Sequence, residues 1–144
     1  ECGRVAARLP ACVRVNYVGP VSREGVRSLY ESSDLMVSLT AGENFGHTIA
    51  ESLQVGCPVM VTTETLWTKT IIAGGGVVVS RRDDATVVGR HLTEWAAMDD
   101  EELIRRRALS VGSFAQWQEQ QPPDVVELIA GLMIDESAAR LGRS

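Results

Sequence analysis

The sequence predicts an α/β fold: one Rossmann-like domain over residues 1–144, with a parallel sheet flanked by helices. Three observations predict it. Short, β-rich apolar runs recur at 13–18, 35–39, 58–63 and 76–80, with stretches of helical spacing between them. That strand–helix rhythm marks βαβ units, whose strands pair in parallel. The runs are short and apolar, as in strands covered by helices on both faces. No internal repeat and no low-complexity linker divides the chain.

Each element has a local reason. Val13-Arg14-Val15-Asn16-Tyr17-Val18 alternates, and Gly19-Pro20 stops it, which predicts a first strand. Ser22 is placed to cap a helix over 22–33, with Val26, Leu29 and Tyr30 as its apolar stripe. Asp34 leads into the strand "LMVSL". A helix over 45–56 turns Ile49, Ala50 and Leu53 inward, and Gly56 suits its end. "PVMVTT" is the next strand, where Pro58 is tolerable only in first position. "LWTKTIIAGGG" reads as a short helix or turn, and its glycines turn the chain into the strand "GVVVS". Asp83 or Asp84 caps a helix through 85–98. Asp99, Asp100, Glu101 and Glu102 open another, with its acids at the positive end of the helix dipole. Pro122-Pro123 starts a last helix over 124–141, whose apolar positions include Val126, Ile129, Leu132 and Met133.

Composition narrows the function classes. Hydrophobic residues make up 44% and charged residues 23% of the chain, an ordinary globular balance. A net charge of −5 argues against nucleic acid or an anionic membrane as partner, since both repel an acidic surface. Three cysteines without a paired spacing favour a reducing compartment, so a cytoplasmic location is expected. The opening "ECGRVAARLP" lacks a Met and reads like the inside of a helix, which leaves open a trimmed start or a piece of a longer protein.

The chemistry concentrates in "TAGENFGHTIAESLQVGCPV", residues 40–59. Ligands of open parallel sheets bind beyond the carboxyl ends of the strands. The loop after "LMVSL" lies on that edge, and the helix after it points free amide donors at the crevice, a natural seat for a diphosphate. Gly42 and Gly46 permit close backbone approach. Glu43 precedes the helix and Glu51 lies in its second turn. Eight helical residues span about 12 Å, too far to share one proton or one metal. The two carboxylates suit separate parts of one elongated ligand, each accepting charge-assisted bonds from hydroxyls. A ribose at one end and a hexose at the other would fit.

"ENFGHTIAESLQVGCPVMVTTETLW" resembles the donor-site segment of retaining GT-B glycosyltransferases of the family 4 type, with its Glu-x7-Glu motif, the "FG" between and the "G-x-PV" strand after it. "VNYVGPVSREGVRSLYESSDLMVSLT" and "GGGVVV" are similar to the flanking parts of that family, so the resemblance covers roughly residues 13 to 115. It implies the C-terminal, donor-binding half of a GT-B fold. By resemblance, Glu51 holds the ribose hydroxyls of a nucleotide diphosphate sugar, and Glu43 holds hydroxyls of the transferred sugar, the catalytic position. Backbone amides of Asn44, Phe45 and Gly46 approach the sugar and diphosphate. Thr40, Gly42 and His47 complete the donor-binding set. Such enzymes need no bound metal, and no cofactor is expected beyond the nucleotide sugar as substrate. Three departures stand out. Leu39-Thr40 replaces the usual Pro-Ser, Thr65-Leu66-Trp67 lacks the proline of "TPW", and the family's basic diphosphate clamp and acceptor domain have no counterpart here.

Blander readings accompany the rest. Cys57 reads as a small core residue, Trp95 and Trp117 as packing, and His91 as structural. Trp67 either packs over the site or closes the core. Arg105-Arg106-Arg107, preceded by four acids, reads as a solvated helix face. A rival for the whole chain is a non-catalytic Rossmann-like module that self-associates or binds a partner, the expected partners being a homo-oligomer copy or a missing N-terminal domain. An epimerase of similar architecture is a third reading.

Overall fold

Each strand is followed by a turn and a helix that carries the chain back to the strand's starting end, so the strands pair in parallel. The computed structural model describes residues 12–40, 46–62, 65–80 and 82–122. Within them, helix α1 (Arg23–Glu31) precedes strand β1 (Met36–Ser38). Helix α2 (His47–Gln54), strand β2 (Val59–Thr62), helix α3 (Thr68–Ala73) and strand β3 (Val77–Val79) follow. Helices α4 (Ala85–Ala96) and α5 (Asp100–Glu119) complete the order. The sheet is β1-β2-β3, all parallel, with Met36 opposite Val59 and Met60 opposite Val77. This is the α/β, Rossmann-like arrangement that the sequence predicts.

Burial follows position in the sheet. Central β2 is buried at every residue, and both neighbours pair with it. Pro58 stands just before β2, where its carbonyl still accepts from the Met36 amide at 2.9 Å. The core joins Ile49 and Leu53 of α2, Val59 and Val61 of β2, Ile71 of α3 and Phe114 of α5 around Trp67. Trp67 is wholly buried; its ring lies 4.3 Å from that of Trp117 and 6.1 Å from that of Phe114. Buried aromatics contribute most per residue to such a core. A Cβ at Gly76 would run into the Val59 carbonyl and the Ile71 side chain, so the glycine run lets the chain pass close under α3 before β3.

The caps form as the sequence implies. Ser22 accepts from the Gly25 amide, Asp84 from Thr86 and Val87, and Asp99 from Glu102. Gly56, at φ 76°, closes α2 in the left-handed region. Cys57 is buried and its carbonyl accepts from Ser52 Oγ at 2.9 Å.

Two expectations are corrected. Residues 13–18 are not a strand: Val13, Val15, Tyr17 and Val18 are 48%, 57%, 83% and 55% exposed, and no described strand pairs with them. Alternation shows what a strand could bury, but a strand needs a neighbour to take its backbone hydrogen bonds. The arginine run is also more than a solvated face. Arg107 donates to the carbonyls of Ser33 and Glu31 at 2.7 and 2.8 Å, and Arg106 to that of Gly75 at 2.6 Å. Arg106 also lies 4.6 Å from the ring centre of Trp95, whose indole N–H donates to the Asp34 carbonyl at 3.1 Å. Guanidinium forks thus tie α5 to the loops around the sheet; Arg105 alone pairs only with Glu102. The last helix expected over 124–141 lies outside the described residues. No helix among the described residues is long and apolar enough to cross a membrane.

Candidate functional site

The site grows from the junction of β1 and α2. Beyond β1, the Thr40 carbonyl accepts from Thr62 Oγ1 at 2.8 Å, which fixes the start of the loop against the end of β2. Gly42, Glu43, Asn44 and Phe45, four of the expected site residues, lie outside the described residues. The chain re-emerges at Gly46, the N-cap of α2, at φ 77°. Its carbonyl accepts from the Ile49 and Ala50 amides, both at 3.0 Å. A Cβ here would stand 2.9 Å from Trp67 Nε1 and 3.1 Å from Ile49 Cδ1. Gly46 is therefore required twice over, by backbone conformation and by the indole against it. Of the two roles the sequence left open, Trp67 closes the core; its indole also backs the first turn of α2. His47 is exposed at that first turn.

Four residues of α2 face inward (Ile49, Ala50, Ser52 and Leu53) and hold the helix rigidly. Glu51 lies between these and the surface. It is half-buried, and its carboxylate makes no hydrogen bond or ion pair with any described residue. With Gln54 and Val55 it forms one wall of a cleft of about 300 Å³. Arg23, Arg27 and Tyr30 of α1 are on the opposite wall. Arg27 is held by Glu31, Nε to Oε1 at 2.8 Å. Burial, and next the negative charge of Glu51, push the Tyr30 phenol above its ordinary range, with Cys57 adding to the effect.

A second hollow of about 260 Å³ opens at the carboxyl ends of the three strands, lined by Leu39, Thr40, Thr62, Val79, Ser80 and Asp83, among others. Asp83 Oδ2 accepts from the Ser80 amide at 2.7 Å, which orders the turn after β3. The structure thus distributes the described site residues. Glu51 faces the α1–α2 cleft, Thr40 lines the hollow at the strand ends, and Gly46 and His47 mark the helix start. Among the described residues, no group of three His, Cys, Asp or Glu side chains is gathered as a metal site requires.

Sequence reasoning missed Tyr30, Arg23 and Gln54. Tyr30 was legible only as the end of an apolar stripe. The signal available was its spacing: Arg23, Val26, Arg27 and Tyr30 recur at i, i+3, i+4 and i+7, one helix face carrying both cations and an aromatic hydroxyl.

Comparison with known proteins places this geometry in a family. The family of glycosyl transferases group 1 matches residues 6–110. Two D-inositol 3-phosphate glycosyltransferases of Mycobacterium leprae, from strains Br4923 and TN, are each 30% identical to the chain over 108 residues. Each match covers 73% of this chain but 23% of the relative, so the chain spans less than a quarter of the length of the curated relatives it matches. With the family match running through the sheet, the α1–α2 cleft and half of α5, the chain belongs to the group 1 glycosyl transferases.

Proposed function

We propose that this chain is the donor-binding half of a retaining glycosyltransferase of the GT-B, family 4 type, and that it binds a nucleotide diphosphate sugar. One observation carries the reading: Glu51, half-buried on a rigid helix, faces a cleft with a carboxylate that has no hydrogen-bond partner among the described residues. A carboxylate open to a cleft and without a protein partner is placed to accept charge-assisted bonds from a ligand hydroxyl pair. In this reading Glu51 holds the ribose. Glu43 orients the transferred sugar, with Asn44, Phe45, Gly46, His47, Gly42 and Thr40 around it. The bond from the sugar's anomeric carbon to the diphosphate breaks, a bond to an acceptor hydroxyl forms on the same face, and the hydroxyl proton passes to the departing diphosphate oxygen. The first turn of α2 stabilises the leaving diphosphate through its amides. A bound metal is not needed. The acceptor domain and the cationic clamp belong to protein outside this sequence, and the protein works in the cytoplasm. The relatives' name makes a phosphorylated inositol the first acceptor to try.

Calorimetry with UDP, GDP and their sugars tests the reading. The folded chain binds at least one of them, and Glu51→Gln weakens binding on the order of ten- to a hundredfold, the loss of hydrogen bonds to a charged acceptor. No binding by a folded sample, or equal binding by the variant, counts against it.

A second reading has its own observation. The outer edge of β1 has no described partner strand, and the apolar residues of 13–18 stand exposed beside the fold. Such features favour a module that pairs with a second copy or another chain. Light scattering separates the two readings: a strict monomer that binds nucleotide sugar removes the second.

A further inference from the structure

Tyr30 ends the stripe of α1 that faces α2, across the cleft from Glu51. Its ring is half-buried, yet its hydroxyl makes no hydrogen bond with any described residue. No side-chain nitrogen or oxygen sealed from solvent lacks a partner among the described residues, so this hydroxyl opens to the cleft. The cleft therefore holds two uncommitted polar groups of different character. Glu51 only accepts, whereas the Tyr30 phenol donates. A vicinal diol needs that combination: one hydroxyl donates to the carboxylate while the neighbouring oxygen accepts from the phenol. The upward push that Glu51 exerts on the phenol agrees with the two facing each other, and it keeps the phenol protonated, in its donor form.

We propose that Tyr30 is a second contact for the donor's ribose diol, completing with Glu51 a two-residue grip across the α1–α2 cleft. The proposal rests on the reading of Glu51 given above. Its geometry needs no movement of α2, because Glu51 is carried on the buried helix and Tyr30 on the exposed one.

The sequence has two tyrosines, and Tyr17 is 83% exposed, so Tyr17→Phe leaves Tyr30 as the sole phenol. In that background, phenolate absorbance against pH reads Tyr30 without any ligand, with far-UV dichroism marking the range in which the chain stays folded. Adding Glu51→Gln lowers the pH at which Tyr30 ionises. Cys57 also acts on Tyr30, and Arg23, Arg27 and Glu24 share the cleft, but all are the same in both proteins, so the difference isolates Glu51. An unchanged titration overturns the facing arrangement. The second arm is calorimetry with UDP and GDP. Tyr30→Phe keeps the ring and the melting temperature but weakens binding roughly three- to tenfold, one neutral hydrogen bond. That loss disappears with the 2′,3′-dideoxy nucleotide, which has no diol. If Glu51→Gln weakens binding and Tyr30→Phe does not, the donor-site reading stands and the grip falls. If the folded chain binds neither nucleotide, both fall.

Discussion

Helices α1 and α2 are neighbours of nearly equal length, nine and eight residues, and they are opposite in burial. Helix α2 buries Ile49, Ala50, Ser52 and Leu53, pinned between β2 and α5; helix α1 buries no residue. Both are amphipathic, so helix propensity does not separate them. The difference lies in what stands beneath each. Helix α2 has the central strand and the Trp67–Phe114–Trp117 cluster behind it. Helix α1 is tied at its end, where Arg107 reaches the Glu31 and Ser33 carbonyls. The cleft between them thus has one rigid wall, which carries Glu51, and one weakly buried wall, which carries Tyr30. Binding sites commonly pair a fixed anchor with an element of low local stability, and the arrangement here follows that rule.

The rigid wall fails most dramatically if its backing is removed. Trp67→Ala empties the middle of the aromatic cluster and destabilises by about 3–5 kcal/mol, read in urea denaturation. A smaller cost would mean that Phe114 and Trp117 collapse into the space. Gly46→Ala acts on the same wall at the helix start. It forces a left-handed residue against Trp67 Nε1 and costs about 1–3 kcal/mol, with a lower midpoint and an unchanged slope.

The exposed wall should respond far less. Leu29, on α1, is 39% exposed, and Leu29→Ala costs about 0.5–1 kcal/mol, a fraction of either change above. A cost matching that of Trp67→Ala would erase the contrast between the walls. The smallest effect is electrostatic. Hydrogen bonds from Arg105 and Arg106 lower the Glu102 carboxyl from 4.5 to about 2 in the folded protein. A lowered folded value means that the contribution is present above about pH 4.5 and is lost as pH falls toward about 2. Glu102→Gln should flatten the acid limb of stability across that window: the variant lacks this small contribution at neutral pH and converges with the parent as pH falls toward about 2. Because Arg106 also grips Gly75 and covers Trp95, the variant also asks whether α5 holds without its carboxylate hub.

Much of this was legible in the residues. The strands at 36–38, 59–62 and 77–79, the caps Ser22, Asp84 and Asp99, and the inward face of α2 follow from local rules of period, capping and turn chemistry. The second turn of α2 as the place for Glu51 follows from the same rules. Residues 13–18 show where such rules stop. Their alternation is as good as that of any strand here, but pairing is a property of two segments, and one segment's pattern cannot supply the other. Arg106 and Arg107 teach the same lesson in polar form, since their carbonyl partners lie 31 and 74 residues away.

What the sequence determined by itself was the set of elements, their parallel order and the acidic side chain on α2, because each depends on residues within a few turns of one another. Only the tertiary structure decided that Tyr30 stands across from Glu51, that Trp67 fills the space left by Gly46, and that the arginines of α5 staple distant loops. Those outcomes depend on which faces meet once the chain is packed, and burial is settled by all the elements at once.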